Sequence, residues 1–220
     1  MIGLTEVKKN PYILEFIKQT EIVLAALSYT DHGFRHSNLV ADRARTIAKE
    51  IGLQKRDAEL TAIAGFCHDM GNFLSRTYHN YLASLLFQQV FLKDFSPEEL
   101  SAVMQAIANH DKEEMTFTTS TSAVVVLADK SDVHRSRLTS RKLEDIRADI
   151  HDRVNYATKE SHLKIDKVKK RITLILKIDT SFVPIMEYFE IFTKRMVFCR
   201  KAAKYLGYDF GLVINNFKLL

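Results

Sequence analysis

The sequence predicts a mainly α protein, a helical bundle that ends in a small C-terminal α+β appendage of antiparallel strands and one long helix. Three observations carry that reading. The 220 residues include only 7 Gly and 3 Pro, so helices are expected to run long with few breaks. Apolar residues recur at helical spacing through the first two-thirds of the chain. After about Ser161 the period shifts to alternation, the mark of half-buried strands. The expected division is therefore a helical domain over residues 1–160 and an appendage over 161–220.

Each element has its own signal. Tyr12 to Ser28 carries Ile13, Phe16, Ile17, Leu24 and Leu27 on a helical stripe. His36 to Ile51 places His36, Val40, Ala44, Ile47 and Ile51 on one face, and Gly52 follows as a stop. Asp57 to Asp69 is apolar on nearly all sides through Ala62, Ile63, Ala64, Gly65, Phe66 and Cys67, as a buried helix is. His79 to Leu92 comes next. Ser96 to His110 then begins with Ser96 as N-cap, Pro97 in the first turn and Glu99 at the third helical position. Ser122 to Asp132 is a second buried helix. Arg171 to Asp179 alternates, with Ile172, Leu174, Leu176 and Ile178 on one face, and Leu163 to Val168 is its expected hairpin partner. A long helix from Pro184 to Leu206 stops at Gly207, and Phe210 to Leu220 reads as a last strand.

Composition excludes several classes. No apolar run approaches 18 residues, so no transmembrane helix is expected. The N-terminal apolar stretch is broken by Glu15, Lys18 and Glu21 and lacks a cleavage site, so it does not read as a signal peptide. Cys67 and Cys199 lie far apart in apolar surroundings, as reduced thiols of a cytoplasmic protein do. The net charge of +5 favours anionic ligands, but there is no run of five like charges. A small anion is thus expected ahead of nucleic acid.

Certain polar residues fall where the pattern is apolar. His68 and Asp69 end the buried helix. Asp129 follows Ala123 to Ala128 and shares the face of Val125 and Val126. His36 heads an apolar stripe, and His110 lies three residues after Ile107 and six after Met104. Burying such groups is costly unless a cation pairs with them. With His79, four imidazoles and two carboxylates point inward from five helices. This N/O set suits Fe, Mn, Zn, Co or Ni better than a thiolate site would. Cys67 points about 100° away from His68 and is not counted as a ligand.

The ordered set His36, His68-Asp69 and Asp129 resembles the H…HD…D signature of the HD-domain metal-dependent phosphohydrolases. "AGFCHDMGN" looks like that family's hydrophobic HD-x-G stretch, and "VVVLADKSDVHRSR" like its closing ADxxD helix. The resemblance covers roughly His32 to Arg137 and implies a helical HD-domain bundle. It implies that His36, His68, Asp69 and Asp129 bind a first metal. In dinuclear members Asp69 would bridge, with His79 and His110 holding a second ion. A mononuclear enzyme with His79 or His110 acting as an acid is the other arrangement. One or two divalent ions per chain are therefore expected.

The implied reaction is hydrolysis of a phosphomonoester or phosphodiester by a metal-activated hydroxide, and family analogy makes the substrate a nucleotide. Asp69, His110 and Lys130 are the expected catalytic residues. Arg35, Asn72, Lys130, Arg135 and Arg137 are the groups expected to meet the phosphorylated substrate, with Lys130 first among them. The alternative is a non-catalytic regulatory or ligand-sensing module working through its appendage. The apolar end of the chain makes a homodimer the expected assembly. His151-Asp152 is a second HD dipeptide in a polar helix with no buried seat for an ion, and it reads as structural.

Overall fold

A computed structural model describes residues 2–140 and 142–220. The described chain forms α1 (Leu4–Val7), α2 (Pro11–Ala26), α3 (Phe34–Glu50), α4 (Lys55–Cys67), α5 (His79–Phe91), α6 (Pro97–Asn109) and α7 (Ser120–Lys130). After a 3-10 turn at Arg135–Arg137 come α8 (Leu143–Ala148) and α9 (Ile150–Ala157). The C-terminal part holds β1 (Thr158–Asp166), β2 (Arg171–Ile178), α10 (Ile185–Tyr205), β3 (Asp209–Ile214) and β4 (Phe217–Lys218). No described helix is long and apolar enough to cross a membrane.

Local chemistry explains the boundaries. Asn10 caps α2 through its side chain, accepting from the amides of Tyr12 and Ile13. Ser96 caps α6 by accepting from the Glu99 amide, with Pro97 at the first helical position. Glu99 turns its carboxylate outward to Arg56, which it meets at 2.6 and 2.8 Å. α3 ends as Gly52 takes φ +89°, a conformation that L side chains rarely adopt.

Two apolar cores flank a common layer. One joins α1, α2, α4, α5 and α6 through residues such as Ile17, Ile63, Phe66, Phe87 and Ile107. The other joins the outer face of α3 and most of α7 to β2, α10 and β3. α7 divides its side chains between them: Val125 packs with the first core, and Val124, Val126 and Leu127 with the second. α4 is buried continuously from Leu60 to Cys67, a stretch in which Thr61 is the one polar side chain.

The C-terminal sheet is mixed, with strand order β1-β2-β3-β4. β1 and β2 form the expected antiparallel hairpin, and β2 buries Ile172, Leu174, Leu176 and Ile178. β2 and β3 run parallel, which departs from an all-antiparallel set. The cause is α10: a strand, a long helix and a strand in sequence make a crossover that returns the chain in the same direction. Past β3, Asn215 and Asn216 take φ +50° and +72° and turn the chain into β4. The Asn215 side chain clamps both the amide and the carbonyl of Ile178 at 2.8 Å.

Candidate metal centre

Five helix ends meet between the two cores. His68 is the C-cap of α4, His110 the C-cap of α6, and Asp129 lies in the last turn of α7. His36 is in the first turn of α3 and His79 opens α5. Three helix C-termini therefore direct partial negative charge at one place, a setting that favours cations. All six side chains are buried.

The ring nitrogens are assigned by what holds them. His68 Nδ1 lies 2.8 Å from the Gly65 carbonyl, His79 Nδ1 2.8 Å from that of Arg76, and His110 Nδ1 2.7 Å from that of Ile107. A carbonyl only accepts, so each Nδ1 carries a proton and each Nε2 faces inward, where a bound cation would take its lone pair. His36 Nδ1 is held instead by Asp132 Oδ2 at 2.7 Å. A carboxylate behind a ligating histidine fixes the ring and raises its basicity.

Asp69 joins two halves. Its Oδ2 lies 3.2 Å from His68 Nε2 and 3.5 Å from His36 Nε2. Its Oδ1 lies 3.3 Å from His79 Nε2 and 3.4 Å from His110 Nε2. Asp129 Oδ1 closes the first half, 3.3 Å from His36 Nε2. These residues form overlapping groups whose donor atoms lie within 4.8 Å of one another. Bonds of about 2.0–2.1 Å in a tetrahedron place neighbouring donors roughly 3.3 Å apart, so the spacing fits a divalent ion.

The electrostatics agree with a cation-seeking centre. Burial disfavours charge on Asp69, yet His68, His110 and His79 hold its carboxyl well below the usual range. At Asp129, Lys130 and His36 win the same contest. Burial would strip His68 of its proton, but Asp69 and Asp129 outweigh it and push its pKa up to about 9. Burial lowers the pKa of His110.

The decisive comparison is a match to the HD domain family over residues 33–157. The chain belongs to the HD-domain metal-dependent phosphohydrolase superfamily. The match spans α3 to α9 and so contains all six inward groups. The chain is also 26% identical over 155 residues to the uncharacterized protein MJ1020 of Methanocaldococcus jannaschii, covering 60% of each chain. The chain thus spans about three-fifths of the length of the curated relative it matches.

Beside the HD centre lies a cleft of about 300 Å³, lined by Asp69, His79, His110 and Asp129 and by the cations Arg76, Lys112, Lys130, Lys194 and Arg195. Lys130 faces it but is already paired, 2.6 Å from Asp111 and 3.0 Å from Asp129. Asn72 sits beneath the cleft and donates to Asp69 Oδ1 at 3.0 Å, which aims that carboxylate. Arg35, Arg135 and Arg137 are not among its lining residues. Arg35 pairs with Asp31 and Asp132, and buried Arg137 donates to the Asp132 carbonyl and lies 3.1 Å from His32. Arg135 donates to the Tyr156 carbonyl and stacks on that ring. These three arginines brace the shell behind His36 and the packing of α9.

Asp132, His32, Arg76 and Asp111 were not singled out from the sequence. Asp132 is the final residue of the ADxxD word, so its signal was present without its role. Lys194 and Arg195 come from α10, outside the family match, and reach the cleft only through tertiary packing.

Proposed function

We propose that the protein hydrolyses a small phosphorylated substrate, a phosphomonoester or phosphodiester, with a nucleotide as the class that the family suggests. The observation that carries this reading is the division of Asp69, one oxygen toward His36 and His68 and the other toward His79 and His110. His36, His68, Asp69 and Asp129 would hold one divalent ion, and Asp69, His79 and His110 a second. Fe, Mn, Zn, Co and Ni all suit such donors. A divalent ion there supplies Lewis acidity and makes a water molecule nucleophilic near neutral pH.

The chain's own groups do the rest. Asp132 and three backbone carbonyls keep the four Nε2 lone pairs facing inward. Asn72 aims Asp69. Lys130 Nζ stays protonated between Asp129 and Asp111, fixing Asp129 and adding positive charge where phosphoryl oxygens would lie. Arg76, Lys112, Lys194 and Arg195 extend that charge along the cleft.

Metal content and phosphatase activity test the reading together. Asp69→Ala should abolish metal retention and hydrolysis while helical circular dichroism persists. Full activity in that variant would end the site assignment. His110→Ala should lower metal content by about one equivalent per chain by elemental analysis. Unchanged stoichiometry would leave a single ion and return His110 to an acid or core role. A wild-type chain that retains no ion after reconstitution would favour the ligand-sensing module instead.

A further inference from the structure

The cleft at the metal centre has a neighbour. A second cavity of about 340 Å³ shares His32, Arg76 and Arg195 with it, so those three side chains form the partition. The charge of Arg195 bears on Lys130 on one side and on His151 on the other. The two compartments differ in chemistry. The first gathers the inward carboxylates and most of the cations. The second is bounded by Leu27, Ser28, Tyr29, Thr30, Asp149 and His151.

That lining describes its occupant. Tyr29 is 42% exposed, and the Arg76 guanidinium lies 5.6 Å from its ring centroid, giving a flat face for another ring. Ser28, Thr30 and His151 offer donors and acceptors at the same cavity. Asp149 repels a second phosphate and suits hydroxyl donors. A ligand pocket of this size with a few placed polar groups fits a small neutral ring.

We infer that this second cavity seats the leaving group of the cleaved phosphoester, a neutral hydroxylated ring of sugar or nucleoside type, with Arg76 and Arg195 spanning the junction to the phosphoryl group. The inference rests on the phosphohydrolase reading and deepens it. It also gives two unassigned features a place. His151, of the second HD dipeptide, lines this cavity and belongs to none of the metal-capable groups among the described residues. The C-terminal helix α10 contributes Arg195 to both compartments and becomes part of the substrate site.

The test is calorimetric titration of the metal-loaded full chain, first with inorganic phosphate and then, at saturating phosphate, with ribonucleosides, pentoses and hexoses. At least one neutral ring should bind. Tyr29→Ala and His151→Ala, both at exposed positions, should weaken that ring by about tenfold while phosphate binding is retained. Phosphate binding with no neutral ring bound would overturn the inference and leave the phosphohydrolase reading standing. Ring binding that neither substitution weakens would overturn the assignment to this cavity. Failure to bind phosphate would remove the phosphohydrolase reading and the inference together.

Discussion

Asp132 shows how much of a metal site lies behind its ligands. It holds His36 Nδ1 at 2.7 Å and also takes Arg35 Nη2 at 2.8 Å, while Arg137 lies 3.7 Å away. Burial disfavours its charge, but Arg137, His36 and Arg35 keep its carboxyl well below the usual range. Asp132→Asn keeps the size, weakens the hold on His36 and leaves two guanidinium groups short of a countercharge. It should reduce metal affinity about 10- to 100-fold in a chelator competition, with no ligand atom removed. An unchanged affinity would make the Asp132 contact incidental. Five of the six inward groups are legible because a polar residue on an apolar stripe is conspicuous, and His79 joins them through the order and spacing that the family resemblance implies. Asp132 is not, because at the end of the expected helix Ser122 to Asp132 it follows Lys130 and Ser131, where a carboxylate looks solvated. Proximity in sequence to a ligand, as for Arg35 and Arg137, does not say which side of it a side chain occupies.

At the scale of elements, Gly71 sets how closely α5 approaches the end of α4. A Cβ built there would meet the His79 carbonyl oxygen at 2.3 Å and the Ala83 amide nitrogen at 2.6 Å. Both obstacles are backbone, so they yield only if α5 moves. Gly71→Ala should therefore cost about 1–3 kcal/mol as overpacking, or roughly 2–4 °C in Tm for each kcal/mol. It should also lower metal content, because the displaced helix carries His79. A normal melt with full metal content would show that α5 relaxes freely. The glycine of the HD-x-G word thus has a steric reason. Most element boundaries followed from caps, stops and period, as Ser96 and Gly52 illustrate. The parallel pairing of β2 with β3 is implicit in the strand, helix, strand order, while the short connection between β1 and β2 signals antiparallel pairing alone.

Across the whole molecule, the C-terminal segment shares its core with the metal-bearing helices. Val124, Val126 and Leu127 of α7 pack in one cluster with Leu174, Phe192, Cys199 and Leu212. A chain ending at residue 160 would expose that face of α7 to water. It should lose its cooperative thermal transition and bind a hydrophobic dye, whereas the full chain should melt cooperatively. A cooperative melt of the shortened chain would show that the helical body stands alone. The reach of α10 into the cleft was beyond sequence reading, since Lys194 and Arg195 look like an ordinary charged surface until the helix is laid across α7.

Three of the four inward imidazoles are fastened to the carbonyl three residues before them, within the same helix for His68 and His110 and in the segment leading into α5 for His79. Such a clamp travels with its helix. When the bundle breathes, His68 and His110 should move as parts of rigid bodies and keep their tautomers, while His36 can lose its partner across the gap. Ion exchange would then be timed by the separation of helices and not by the spinning of rings, a slow and collective gate at a site that is chemically ready throughout.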